Sequence, residues 1–217
     1  MTVMIKKHIK TIIITSVITL IPMLIGIILW DKLPAEIPTH FGLNNQPDGY
    51  SSKAFAVFGL PLIMLALHLV CIFATKLDPK TKGLSDKVFT LVLYIIPAIS
   101  LLMCTVIYPV ALGKQVNVGL FAMLFMGLLF TVTGNYLPKC KQSYTVGIKL
   151  PWTLEDSENW SRTHVLAGKL WVACGIAIIL TAFLEKPVIF FILTAVMVLV
   201  PTVYSYLLYK NKRNKAE

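Results

Sequence analysis

The chain has 217 residues, 57% of them hydrophobic and 14% charged, with a mean hydropathy of +0.77 and a formal net charge of +10. So few polar residues cannot cover the outside of a water-soluble domain, and the chain reads as integral to a membrane. The excess base sits in short clusters beside apolar runs, the pattern of span flanks, with no basic helix or aromatic-basic platform to engage nucleic acid directly.

In chain order, Lys6, Lys7 and Lys10 precede an apolar run like the start of a signal peptide. That run is about twice as long as a signal-peptide core and no small-residue cleavage site follows it, so it reads as an uncleaved first span. Six stretches, 9–30, 54–75, 88–110, 116–137, 165–184 and 187–209, are apolar enough to cross the membrane. About 20 residues of helix cross roughly 30 Å of hydrocarbon. Helices are expected rather than strands, because lipid offers backbone amides no partners and the runs do not alternate with period two. Sixteen of the twenty Lys and Arg fall on one side of this arrangement, and only Lys32, Lys53, Lys114 and Lys186 on the other. By the positive-inside rule both termini are cytoplasmic. The expected fold is therefore all-α: a polytopic bundle of six transmembrane helices. It divides into a three-span region 1–110 with an outer loop 31–53, and a three-span region 111–217 with a cytoplasmic loop 138–164.

Pro22, Pro61, Pro97, Pro109 and Pro201 lie within or at the edges of spans, where a missing amide can kink a helix that its neighbours support. Cys71, Cys104 and Cys174 fall in apolar runs and Cys140 in a basic loop, with no disulfide framework or CxxC metal pattern.

The outer loop reads DKLPAEIPTHFGLNNQPDGYSSK. Leu33-Pro34 and Ile37-Pro38 favour extended backbone, because each proline ring disfavours helix just before it. Pro47-Asp48-Gly49 reads as a turn in which proline presets one angle and glycine accepts a positive one. His40 and Asp48 offer two metal-ligand types without a third at fixed spacing, so hydrogen bonding within the loop is the better reading. His68, in the middle of the second span, reads as a neutral histidine hydrogen-bonded to another helix. The lysine-rich segment 76–87 reads as a retention signal without chemistry.

The longest polar passage between apolar runs is 134–169, GNYLPKCKQSYTVGIKLPWTLEDSENWSRTHVLAGK. Gly147 allows a tight turn and Pro151 sets the backbone before Trp152. Thr153 with Asp156 fits a capping pattern, predicting a short helix over 154–162 that leads into the fifth span. Trp152 and Trp160 suit the headgroup region, where an amphipathic ring has one wet edge. On these residues alone, an interfacial anchor and a functional segment are equally good readings.

The run GIKLPWTLEDSENWSRTHVLAGK resembles the signature of the SdpI family of bacterial membrane immunity proteins, in which GIRTPWTL, a few acids, a tryptophan and a TH-x-x-AGK ending follow one another. GNYLPK, and in the outer loop LPAEIPTHF and PDGYSSK, are also similar to family members. The resemblance covers essentially the whole chain. Three positions depart from it: Lys149 stands where arginine is usual, Leu150 where threonine is, and Ser143 where asparagine is common. Lysine lacks the bidentate fork of arginine, which weakens any carboxylate or phosphate contact at position 149.

What the resemblance implies is a non-enzymatic protein of the bacterial cell membrane, without cofactor or metal. It would protect against a secreted, membrane-active peptide toxin of the SDP type. Some members also signal by holding a cytoplasmic transcriptional repressor at the membrane. On this reading Pro34, Ile37, Pro38, His40, Asp48, Gly49 and Lys53 face the toxin, and Asn135, Gly147, Lys149, Pro151, Trp152, Thr153, Trp160, Thr163 and His164 form the cytoplasmic signature. The alternative is a small transporter or exporter of a peptide or lipid. A membrane hydrolase using His40 or His164 is disfavoured by the lack of HExxH, GxSxG or paired intramembrane acids.

Overall fold

The computed structural model describes residues 3–79 and 85–215, residues 3–5 by backbone alone, and Lys80 and Lys82 of the lysine-rich segment lie outside the described residues. Among the described residues, six helices are long and apolar enough to cross a membrane: α1 (Val3–Ile28), α2 (Leu60–Leu77), α3 (Asp86–Ala111), α4 (Val118–Tyr136), α6 (Ser157–Thr181) and α7 (Pro187–Arg213). A one-turn helix α5 (Pro151–Glu155) precedes α6. The predicted spans match these helices to within a few residues, except that α6 begins at Ser157 rather than at 165. A π-helical turn, Phe55–Gly59, leads into α2 just before Pro61, which has no amide to donate.

The chain forms two compact units, Met1–Phe73 with Thr90–Ala122, and Ala74–Phe89 with Met123–Glu217. In the first, helices are joined by hydroxyl groups that find carbonyl partners, as lipid-embedded polar groups must. Ser100 Oγ donates to the Thr19 carbonyl at 2.9 Å, and Tyr108 Oη donates to the Pro22 carbonyl at 2.8 Å. His68 is fully buried, and its Nε2 lies 3.0 Å from Thr15 Oγ1 on α1, the interhelical partner expected of it.

The loop 31–53 contains a two-stranded antiparallel hairpin, β1 (Glu36–Phe41) and β2 (Pro47–Ser52), an element absent from the all-α expectation. Ile37-Pro38 lies in β1, and Leu33, before the strand, is also extended (φ −78°, ψ 139°). The turn is not at Pro47-Asp48-Gly49, which lies in β2, but at residues 42–46. There the Gly42 amide donates to the Gln46 carbonyl (2.9 Å), and Asn45 adopts a positive φ of 62°. Asparagine tolerates this left-handed backbone, and Asn44 Oδ1 accepts from the Gln46 amide (3.1 Å) to close the turn. Gly49 serves a close approach instead of a positive angle: a Cβ there would sit 2.8 Å from His40 Cβ across an irregular pair. Ile37 and Leu33 anchor the hairpin in a cluster with Val57, Ile107 and Tyr108.

In the second unit α4 and α6 meet at glycines spaced seven apart. A Cβ on Gly127 would lie 2.8 Å from the Gly175 carbonyl oxygen, and one on Gly168 would lie 2.8 Å from the Gly134 carbonyl oxygen. Backbone faces backbone, as small residues allow in membrane helix pairs. Helix α7 joins α6 through Trp171 Nε1, which donates to the Met197 carbonyl at 3.1 Å.

Candidate functional site

The signature passage folds into one connected structure within the second unit. Pro151 opens α5, and Thr153 in its first turn is completely buried. Thr153 Oγ1 accepts from the Leu150 amide at 3.0 Å and lies 2.9 Å from the Ile148 carbonyl, so it seals the start of α5. The predicted single helix over 154–162 does not form. The chain breaks at Asp156, whose extended backbone (φ −119°, ψ 111°) caps a new helix, with Oδ1 accepting from the amides of Glu158 (3.0 Å) and Asn159 (3.4 Å). An aspartate at this position satisfies otherwise unpaired first-turn donors. The Lys212 ammonium, 2.8 Å from Asp156 Oδ2, holds its carboxyl below the usual range, and the capped amides act in the same direction.

Helix α6 then turns three signature residues, Trp160, Thr163 and His164, inward. Trp160, expected at a wet interface, is 2% exposed, and its Nε1 donates to the Cys140 carbonyl at 2.7 Å. Its ring stacks on His164 with centroids 4.0 Å apart. His164 uses both ring nitrogens: Nδ1 donates to the Trp160 carbonyl (2.7 Å) and Nε2 accepts from the Ile148 amide (2.9 Å), which fits the neutral ring. Gly147 runs over this stack with φ 119°, and a Cβ there would meet His164 Nε2 at 2.6 Å. Both the backbone angle and the space therefore require glycine. Thr163 donates to Asn159 Oδ1 (3.0 Å), and Asn159 Nδ2 to the Ser205 carbonyl (2.9 Å), binding α6 to α7. Trp152 is half-buried, donates through Nε1 to Ser205 Oγ (3.0 Å), and packs on Tyr206 and Tyr209.

Thr153, Trp160, Thr163, His164 and Gly147 are thus the frame of the passage. Asn135, Lys149, Pro151, Glu155, Glu158 and Arg162 are its exposed face. Lys149 Nζ reaches the Thr145 carbonyl at 3.3 Å.

One residue of this structure escaped the sequence reading. Asp78, in the segment read as lacking chemistry, is 6% exposed just beyond α2. Its Oδ2 accepts from Ser143 Oγ (2.5 Å), the Tyr144 amide (2.8 Å), the Thr145 amide (3.1 Å) and Thr145 Oγ1 (3.0 Å). An aspartate among lysines carries no signal for a partner 65 residues away. The hydroxyl of Ser143, at a position that departs from the family pattern, supplies one of these bonds.

Pro34 just before the hairpin and His40 and Asp48 within it are exposed, and His40 Nδ1 and Asp48 Oδ1 are 2.5 Å apart. Ile37 is 0% exposed and Pro38 is buried, so neither side chain is offered to a partner. Lys53 folds back, its Nζ donating to the Trp30 carbonyl (3.0 Å) and lying 5.1 Å from the Trp30 ring centre. These three belong to the hairpin's attachment. Among the described residues, no group of three or more His, Cys, Asp or Glu side chains could hold a metal ion.

Residues 139–205, from the exit of α4 through most of α7, match the model of the SdpI/YfhL protein family. Residues 17–65, which include the hairpin, match a domain of unknown function, DUF1648. The chain is 31% identical over 206 residues to Immunity protein SdpI of Bacillus subtilis (strain 168), covering 92% of this chain and 96% of that protein. The chain belongs to the SdpI/YfhL family. With six membrane-length apolar helices, this SdpI/YfhL member is a multi-pass protein of the bacterial cell membrane. No solved structure matches it. The SdpI/YfhL match begins one residue before Cys140, whose carbonyl takes the Trp160 bond.

Burial pushes the Cys140 thiol up to about 11, so at pH 8 it is protonated and covered. Because the thiolate is the reactive form, N-ethylmaleimide should leave Cys140 unmodified in native membranes at pH 8 and label it after denaturation in SDS. Mass spectrometry of the Cys140 peptide reads this. Rapid native labelling would show that the 140–150 segment does not sit against α6 as described.

Proposed function

We propose that this chain is a non-enzymatic immunity protein that protects the cell from a secreted, membrane-active peptide toxin. The observation that carries this reading is the near full-length match to Immunity protein SdpI, spanning both the hairpin and the signature passage. The distribution of base supports placing both termini and the signature passage in the cytoplasm, with the hairpin outside. The hairpin then meets the toxin first, through Pro34, His40 and Asp48. The exposed charges of Lys149, Glu155, Glu158 and Arg162 favour a second role for the inner face, capture of a cytoplasmic transcriptional repressor.

The test is survival of a toxin-sensitive bacterium expressing the chain and challenged with SDP-type peptide, beside an empty-vector control. Survival raised at least about tenfold, with the protein present in the membrane, is the expected result. Unaltered killing at verified membrane abundance overturns the immunity reading. Export is the rival mechanism. It predicts that expressing cells lose pre-loaded labelled toxin faster than controls, whereas blockade predicts equal loss.

A further inference from the structure

The first unit carries a cleft that the signature does not explain. It has a volume of about 610 Å³ and lies between the hairpin turn, Asn45, Gln46 and Pro47, and the α3–α4 connection, including Lys114, Gln115 and Asn117. Binding sites for ligands of peptide-fragment size span roughly 300–1,000 Å³. The cleft's two walls are fixed to each other. Asn45, held at its positive φ, accepts through Oδ1 from the Gly119 amide at 2.6 Å, and Asn117 Oδ1 accepts from the Leu120 amide at 3.0 Å to begin α4. The Lys114 amide donates to the Pro109 carbonyl at 2.9 Å, which sets the connection's path. A wall built this way does not have to be ordered on binding, and preorganisation of this kind favours affinity.

The lining chemistry selects the occupant. A carboxamide side chain carries N–H donors and a carbonyl acceptor side by side, so it can pair with both the C=O and the N–H of a peptide backbone. Gln46 and Gln115 supply such groups, and Lys114 places one ammonium beside them. The side chains of these three residues make no hydrogen bond or ion pair with any described residue. Val110, Val116 and Pro47 add an apolar floor. An extended peptide ending in, or bearing, a carboxylate satisfies all three features: amides against amides, a carboxylate on Lys114, and an aliphatic side chain on the floor. A phosphate or nucleotide would demand more positive charge than one lysine provides.

We infer that this cleft is the docking site for a carboxylate-bearing extended segment of the toxin, with Lys114 as the carboxylate's partner and Gln46 and Gln115 as its backbone readers. The inference rests on the immunity reading above for the identity of the peptide, but the site itself can be tested separately. It also moves recognition from the His40–Asp48 pair toward the turn and the α3–α4 connection.

The experiment combines survival with direct capture. A photoreactive amino acid is placed at Gln115, and in a control chain at Lys149, and membranes are irradiated with biotinylated SDP-type peptide. In parallel Lys114→Glu and Gln46→Ala/Gln115→Ala are scored for protection at matched membrane abundance. The expected result is crosslinking from 115 and not from 149, competed by unlabelled peptide, with protection reduced at least about tenfold by Lys114→Glu. If the unaltered chain protects while Lys114→Glu and the double variant protect equally well and 115 captures nothing, the cleft is not the docking site. Capture at 115 by a chain that does not protect would uphold the site and overturn the immunity reading. Absence of both capture and protection overturns both. Should Lys114→Glu fail to reach the membrane, Lys114→Met, which keeps most of the side chain's length and removes the charge, decides the same question.

Discussion

Gly134→Val on α4 and Gly175→Val on α6 should each deplete the protein from the membrane, whereas Leu128→Ala at an exposed position of α4 should not. At Gly134 a single Cβ would already approach Trp171 Cβ at 2.7 Å and the Val172 amide nitrogen at 2.8 Å. At Gly175 it would approach Thr131 Oγ1 at 2.5 Å and the Gly127 carbonyl oxygen at 2.7 Å. Several of these neighbours are backbone atoms, which cannot rotate away as a flexible side chain can, so α4 and α6 must separate. Overpacking costs about 1–3 kcal/mol in a well-packed core and more where no side chain can yield. Separation also strips the contacts that hold membrane helices together without a hydrophobic driving force between them. Leu128 is 55% exposed, and its truncation removes only surface. Membrane abundance by immunoblot and thermal aggregation of detergent-solubilised protein measure the effect. Valine variants as abundant and heat-resistant as the parent would show that the helices do not approach this closely.

Asp78→Ala should release the 143–146 segment while leaving the six helices in the membrane. The lost acceptor takes with it the bonds from Ser143, Tyr144 and Thr145. Hydrogen bonds to a charged group are worth about 1.5–3 kcal/mol each. Ser143 is 2% exposed, and without the carboxylate its hydroxyl keeps only Thr145 Oγ1, 3.1 Å away, as a side-chain partner. A loss on the order of 3 kcal/mol, confined to this segment, is the expected result. Trypsin reads it, because Lys141 and Lys149 flank the clamp and are exposed. In membranes opened to the protease, Asp78→Ala should be cut at these lysines at least about tenfold faster than the parent. Asp78→Asn, which keeps an acceptor oxygen without the charge, should fall between them. Equal cleavage of all three proteins would remove the clamp from the account. If protection from toxin also falls in Asp78→Ala at unchanged abundance, the order of this segment matters for immunity as well as for folding.

The same residue shows where reading the chain alone stops. The spans were legible because hydropathy and charge clustering are local properties, and the bilayer enforces them on each segment separately. The extended geometry of the loop after α1 was legible because Pro34 and Pro38 act on their immediate neighbours. The hairpin turn was misplaced by a few residues because Pro47-Asp48-Gly49 and Asn44-Asn45 both carry turn chemistry, and strand pairing with His40 decided between them. The signature passage was recognisable as a unit, and the sequence determined its residue types, its membrane setting and its family. Only the tertiary structure decided that Trp160, Thr163 and His164 face inward as a frame while Lys149, Glu155, Glu158 and Arg162 face outward. It alone revealed that Asp78 holds Ser143 and that Gly127 and Gly134 meet Gly175 and Gly168. The physical reason is distance along the chain: composition and periodicity report what a segment prefers next to itself. A carboxylate or a glycine acquires its role from whichever backbone folding brings against it.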